Sequence, residues 1–327
     1  MRRFLLLLAL LLMLGGLAAG GWIYARAAND APGPLAEPAQ LVVPRGGSTA
    51  IAEALAARGV IADPRAFLAA AWMTGGDGPL RAAEFAFPAR ASLREVFRVL
   101  RHARPVQRRL TIPEGLTARQ IAALLDRADG LAGETPSFEE GALLPETYAY
   151  EFGAARASIV RRADQAMDAA LAEAWAARAE GLPLATPREA LILASIVERE
   201  TGKPEERGLV AGVFMNRLRR GMMLQSDPTV AYGAADGGAL DRPLSRADLD
   251  RDHPFNTYRI RGLPPAPIAS PGREALRAVT QPRPTDFLYF VADGTGGHAF
   301  ARTLEEHNRN VAQWRQIERQ RGTSAGQ

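Results

Sequence analysis

Cysteine is absent from the 327-residue chain, which excludes thiolate chemistry; its absence fits an exported protein that avoids stray disulfides and equally fits chance. Lysine is almost absent as well. Lys203 is the only one, so arginine supplies nearly all of the 40 basic residues, set against 36 acidic ones. The resulting net charge of +4 is small for this length, and no basic stripe with interleaved aromatics occurs, so nucleic acid is excluded as a partner. Histidine is scarce: His102, His253, His298 and His307 show no close ligand spacing, which leaves a metallohydrolase as a remote reading and implies no cofactor. Hydrophobic content of 47% and charged content of 23% exclude both a disordered chain and a multi-span membrane protein.

One stretch lacks charge altogether. After Arg2 and Arg3, the run from Phe4 to Tyr24 is uncharged and about as long as a bilayer-crossing helix needs to be. It predicts a cytoplasmic tip and a single transmembrane helix within residues 1–24, the membrane segment being residues 4–24, with the N-terminus held in the cytoplasm by the two arginines and the rest of the chain outside. A cleaved signal peptide is the competing reading, since Ala18, Ala19 and Ala25 to Ala27 are small, but the run exceeds the usual apolar region of about 7–15 residues. Residues 25–40, rich in Ala and Pro and without periodicity, predict a linker that reaches about 50 Å when extended at about 3.3 Å per residue.

Beyond the linker the chain is long enough for two folded units with a sizeable core in at least one. VPRGGSTAIAEAL from Val43, FPARASLREVFRVL from Phe87 and IPEGLTARQIAALL from Ile112 repeat one pattern: a strand-like residue before proline, a hydroxyl four positions later, then apolar residues at helical spacing. Ser92 with Glu95 and Thr117 with Gln120 read as capping boxes. Such units are generic in α+β domains, and they also resemble LysM-like modules, which bind N-acetylated glycans; residues 41–133 are assigned to this region. From residue 134 to 327 the texture changes to alanine-rich helices, of which Ser158 to Arg178 is the clearest. The fold class is α+β, with a small LysM-like subdomain and a larger α+β domain over residues 134–327 behind the membrane helix.

Within the larger domain, Thr186, Pro187 and Glu189 supply N-cap, N1 and N3 of a helix that runs into LILASIVERETG, Leu191 to Gly202. At about 100° per residue, Ile192, Leu193, Ile196 and Val197 fall over one hemisphere with Glu200 among them. Glu198 falls roughly opposite, beside Leu191, Ala194 and Ser195. A helix apolar nearly all round is buried, so Glu200 meets both desolvation and the negative end of the helix dipole, and both raise its pKa. A carboxyl that keeps its proton near neutral pH is what general acid catalysis requires. On the helix alone, an equally open reading places Glu200 just past the buried segment, in solvent or paired with Arg199 or Arg207. Glu198 suits a salt-bridging or supporting role better than catalysis.

Downstream stretches combine amides, hydroxyls and aromatic rings, a mixture that fits the hydroxyls, N-acetyl groups and apolar faces of sugars. A polar, proline-containing loop carries Gln225, Ser226, Asp227 and Thr229; Asn256, Thr257 and Tyr258 precede a proline-rich turn; and DFLYFVADGTGGHAF reads as a strand followed by His298 and Phe300. In order, ASIVERET, FMNRLRRGMMLQSDPTVAYG, NTYRIRGLPPAPIASPG, YFVADGTGGHAF and EEHN, with LPETY at Leu144 to Tyr148, resemble the motif series of the YceG-like endolytic murein transglycosylases, the MltG family. Two departures from the family pattern are local: Ala266 stands where glycine is common, and Ala83, Glu84 and Phe85 replace a usual Gly-Thr-Tyr.

The resemblance implies an inner-membrane protein with a periplasmic catalytic domain, cutting peptidoglycan strands internally between N-acetylmuramic acid and N-acetylglucosamine. It implies 1,6-anhydro ends, a limit on strand length, and peptidoglycan synthases as partners. The second acid of its V-E-x-E motif, the catalytic one, falls on Glu200. Glu198, Asn216, Gln225, Ser226, Asp227, Thr229, Tyr232, Asn256, Tyr258 and His298 are the candidates for binding substrate or supporting the acid. Two rivals stay open: a glycoside hydrolase using Asp227 or Glu198 as second carboxylate, and a non-catalytic glycan-binding anchor that recruits synthases.

Overall fold

The computed structural model describes residues 26–324 together with Met13, Gly15, Gly16 and Gly20, so the expected membrane segment over residues 4–24 lies, apart from those four residues, outside the described residues. Among the described residues no helix is long and apolar enough to cross a membrane. The rest is mixed α+β, with short two-stranded sheets and a predominance of helix. It divides into two compact units, Met1–Arg108 with Ala149–Ala154, and Arg109–Tyr148 with Ala155–Gln327.

In the first unit, strand β1 (Ala39–Val42) pairs antiparallel with β2 (Glu84–Phe87), Ala39 opposite Phe87 and Val42 opposite Glu84. Helices α2 (Ser48–Ala57) and α3 (Pro64–Met73) lie between them in sequence, and α4 (Leu93–His102) follows. The apolar residues at helical spacing bury Ile51, Leu55, Phe67, Val96 and Leu100 against Phe85 and Phe87, and the Phe67 and Phe97 rings stack at 4.7 Å. Ser92 and Glu95 form the expected capping box. In the first repeat the cap is Gly47, without a side-chain bond, because Ser48 already lies inside α2.

The expected free linker is instead docked from residue 30 onward. Asp30 pairs with Arg94 at 2.6 Å, the Gly33 amide donates to the Arg90 carbonyl at 3.1 Å, and the Arg90 amide donates to the Leu35 carbonyl at 2.7 Å. A Cβ on Gly33 would lie 2.2 Å from the Ala91 carbonyl oxygen, so the missing side chain is what lets the segment lie down. Ahead of it, residues 26–30 are helical and are labelled α1.

The third strand–proline–helix repeat belongs to the second unit, whose boundary at Arg109 falls ahead of residue 133. There Thr117 and Gln120 box the start of α5 (Ala118–Arg127). Helices α6 (Arg156–Ala176), α8 (Pro204–Arg219) and α11 (Arg273–Thr280) surround α7 (Pro187–Glu200). Thr186 caps α7 by accepting from the Glu189 amide. Ala190, Leu193, Ala194, Ser195, Ile196 and Val197 are fully buried, which makes α7 the centre of the core, as a helix apolar all round must be.

Two expectations need correction here. Asp227 and Thr229 lie not in a loop but on a short helix, α9 (Asp227–Ala234), opened by Ser226 and by proline in its first turn. His298 and Phe300 follow the expected strand but themselves lie on a second one: β7 (Tyr289–Ala292) pairs antiparallel with β8 (His298–Ala301), Ala292 opposite His298. The turn between them is drawn tight by Asp293, whose carboxylate accepts from the Thr295 and Gly297 amides. A short helix α10 (Arg246–Asp250) and the terminal helix α12 (Leu304–Ser324) complete the unit.

Gly212 in α8 shows how tightly the unit is packed. A Cβ there would stand 2.7 Å from the Arg283 carbonyl oxygen and 2.8 Å from Thr285 Cγ2. Gly to Ala inside a helix ordinarily stabilises by about 1 kcal/mol. At this position the clash reverses the sign, and Gly212→Ala is expected to destabilise by about 1–3 kcal/mol, read as a lower denaturant midpoint at unchanged slope.

Candidate active site

Glu200 is the last residue of α7 and lies in a cleft of about 570 Å³ in the second unit. The cleft floor and walls come from four places in the chain: Arg217 on α8, the turn Gln225 to Asp227 entering α9, Tyr258, and the β7–β8 hairpin with α12. Ser226 Oγ donates to Glu200 Oε1 at 2.5 Å. That serine is itself fixed, since its amide donates to Thr257 Oγ1 at 2.9 Å and its carbonyl accepts from Thr229 Oγ1 at 2.7 Å. Just before it, Gln225 adopts a left-handed backbone, φ 50°, with its amide donating to the Thr257 carbonyl. A non-glycine residue in that region costs energy, and the bonds to Thr257 on either side of it hold the turn there.

The candidates separate into three groups. Glu200, Gln225, Asp227, Tyr258 and His298 line the cleft together, and Ser226 holds the acid from behind. Tyr258 donates its hydroxyl to Asp227 Oδ1 at 2.6 Å, and His298 Nδ1 pairs with Glu206 Oε2 at 2.8 Å. A second group braces the backbone. Asn256 spends its side-chain amide on the Leu249 and Arg251 carbonyls, Asn216 donates to the Thr285 and Phe287 carbonyls, and Thr229 is fully buried. The third lies elsewhere: Tyr232 donates to Glu140 at 3.1 Å in a separate pocket, and Glu198 accepts from the Gly272 amide at 2.9 Å and faces Arg207 at 3.5 Å. Glu198 therefore anchors the segment after the proline-rich turn, with Ser195 on the same side accepting from the Ile268 amide at 3.0 Å. Arg199 and Arg207, the two possible partners for Glu200, are engaged with the Gly115 carbonyl and with Glu198.

Several cleft residues escape sequence reasoning. Arg217 is buried and donates to the Leu224 and Leu288 carbonyls, both at 2.7 Å, with its guanidinium 5.3 Å from the centre of the Tyr289 ring. His307 stacks on Tyr289, 5.2 Å between ring centres in near-parallel planes, and its buried Nδ1 has no partner. Asn308, Val311 and Trp314 extend the wall along α12. The only sequence signals were the arginine in FMNRLRR and the trailing EEHN, neither of which shows by itself where its side chains point.

Against known proteins, the model of the YceG-like family matches residues 41–313, most of the chain. The chain belongs to the YceG-like family. This YceG-like chain is 45% identical to the endolytic murein transglycosylase of Bacillus subtilis strain 168 over 119 residues, covering 36% of this chain and 32% of that protein. It is 33% identical to the endolytic murein transglycosylase of Streptococcus pneumoniae strain D39, covering 64% of this chain and 45% of that one. The chain thus spans less than half the length of these curated relatives. A crystal structure of a YceG-like protein from Listeria monocytogenes is similar with a TM-score of 0.52 at 27% identity, over 84% of this chain and 99% of that one.

The electrostatics of the YceG-like cleft centre on Glu200. Burial raises its pKa to about 7; the negative charge of Asp227 adds to the rise, while the Ser226 hydrogen bond and the Arg217 charge oppose it. Burial likewise raises Glu198, but there the Gly272 amide and Arg207 favour the carboxylate. Burial and the adjoining Asp227 push the Tyr258 hydroxyl well above its ordinary range, so it remains a donor. His307 is held below its ordinary value, by burial first and Arg217 second.

A raised carboxyl pKa has a definite signature in stability. Between the ordinary 4.5 and about 7 the folded chain holds a proton that the unfolded chain releases, so stability falls as pH rises through that window and levels off above it. The full swing is at most about 3 kcal/mol, less for the partial exposure of the residue. Glu200→Gln removes it. Its unfolding free energy relative to the native chain is expected to grow between pH 4.5 and 7, measured by denaturant titration at each pH; a difference independent of pH would mean an ordinary Glu200.

Proposed function

We propose that this chain is an endolytic lytic transglycosylase of peptidoglycan with Glu200 as its acid and base. The observation that carries the proposal is a carboxyl, protonated near neutrality, that faces an open cleft and receives a hydrogen bond from Ser226. Glu200 gives its proton to the glycosidic oxygen as the bond to the muramic acid anomeric carbon breaks. The resulting carboxylate takes the proton from the 6-hydroxyl of the same sugar as that oxygen bonds to the anomeric carbon. Each proton is returned, no water is consumed, and no second carboxylate is needed. Asp227, exposed and bound to Tyr258, raises the proton affinity of Glu200 by its charge, and Glu198 is occupied with Gly272 and Arg207. The aromatic wall of Tyr289, Phe290 and Trp314 offers faces on which sugar rings stack.

The same reading includes an inner-membrane anchor over residues 4–24, a periplasmic catalytic domain, a glycan-positioning, LysM-like role for the first unit, and peptidoglycan synthases as partners. The resemblance and the uncharged run are what support these parts.

Digestion of purified glycan strands with the full chain should release products lighter by one water than hydrolysis products; reducing ends would sink the lyase reading in favour of a two-carboxylate hydrolase. Glu200→Gln should lose about 10²–10⁴ in rate. Because the free enzyme must be protonated, kcat/KM should fall as pH rises through about 7. Ser226→Ala removes a bond that favours the carboxylate, and should move this alkaline limb upward; an unmoved limb would show that Ser226 does not act on Glu200.

A further inference from the structure

The first unit carries a second cleft, of about 590 Å³, whose lining includes Asn29 of α1, Ala70 and Thr74 at the end of α3, and Arg94, Arg98 and Arg101 of α4. Arg101 is the built part of it. Its side chain is 6% exposed, its guanidinium donates to the Thr74 carbonyl at 2.8 Å and hydroxyl at 2.9 Å and faces Asp77 at 3.3 Å, and its Nε has no partner. Beside it, Arg94 pairs with Asp30, while Arg98 is 68% exposed and meets Glu95 only at 3.8 Å. Two large apolar side chains stand in solvent at the same end of α3: Trp72 is 85% exposed and Met73 62%. Along α3 they continue an exposed stripe through Arg65, Ala66 and Ala69, at spacings that put these residues on one face.

An exposed tryptophan and methionine cost solubility unless something covers them. What lies nearby in the chain supplies the answer. The uncharged run ends at Tyr24, and from Asp30 the backbone is already fastened to this unit, so only residues 25–29 separate the two. Asn29 lines the cleft itself. Over the described part of this unit eleven arginines face eight acids, the sign that anionic headgroups attract. Tryptophan favours the level of lipid headgroups, with its ring in the apolar edge and its N–H in the polar layer.

We propose that the end of α3 is a membrane seat: Trp72 and Met73 enter the bilayer interface, and the arginine cleft that the same helix lines through Ala70 and Thr74 takes the phosphate of an anionic lipid headgroup. The proposal rests on the anchor described above. It makes the first unit a fixed collar at the membrane surface in place of a domain on a long tether.

The absence of cysteine allows a clean test. The full chain carrying Met73→Cys, labelled with an environment-sensitive fluorophore, is reconstituted into vesicles of phosphatidylcholine with or without phosphatidylglycerol, alongside Glu53→Cys, exposed on α2, as comparison. The probe at 73 should shift to the blue and be quenched by lipids brominated on their acyl chains, more strongly with phosphatidylglycerol. The probe at 53 should do neither, and adding Arg98→Glu should weaken the phosphatidylglycerol effect several-fold. A chain that floats with vesicles while the probe at 73 stays aqueous would overturn the seat and leave the anchor standing. Failure to float would overturn both. A response to soluble glycan fragments but not to lipid would make the cleft a sugar site and end the proposal.

Discussion

Desolvation of one carboxyl group organises the second unit. Glu200 ends a helix buried continuously from Ile192 to Val197, so the chain cannot place it there without cost, and a protonated carboxyl is the state that costs least. Everything fixed around it serves to keep that state useful. Ser226 holds one oxygen, the left-handed Gln225 aims the serine, and Thr257 and Thr229 lock the turn from below. Arg217, which would otherwise pull the proton off, is tied to the Leu224 and Leu288 carbonyls. Its positive charge is felt at Glu200 without forming an ion pair that would abolish the acid.

The same helix does structural work on its opposite side. Ser195 and Glu198 accept amides of Ile268 and Gly272, so the proline-rich turn and α11 are positioned by the segment that presents the acid. One helix thereby couples the core, the turn and the cleft. The proposed chemistry fits this placement, because a site with one protonated carboxyl suits an intramolecular nucleophile on the substrate better than an activated water.

Much of this was legible in the residues. Periodicity and capping located α7 and separated the faces of Glu198 and Glu200, and the hydroxyl and acid pairs at Ser92 and Thr117 marked helix starts that the structure retains. What could not be read depends on contacts between distant segments. Asn256 looks like a sugar ligand until the Leu249 and Arg251 carbonyls converge on it, and Asn216 until the Thr285 and Phe287 carbonyls do. Residues 30–35 have the composition of a tether, yet Gly33 and Asp30 find partners on α4 and the turn before it. The wall built by His307 and Trp314 comes from a helix that looks merely polar in sequence, because only its packing against β7 turns those side chains into the cleft.

The protonation state of Glu200 can be observed without substrate. The carbonyl stretch of its neutral carboxyl, isolated in the infrared as the difference between the native chain and Glu200→Gln, can be followed as pH is varied. The account predicts that this band persists into the neutral range and is lost with a midpoint near 7. A band already gone at neutral pH, with a midpoint near the ordinary 4.5, would contradict it.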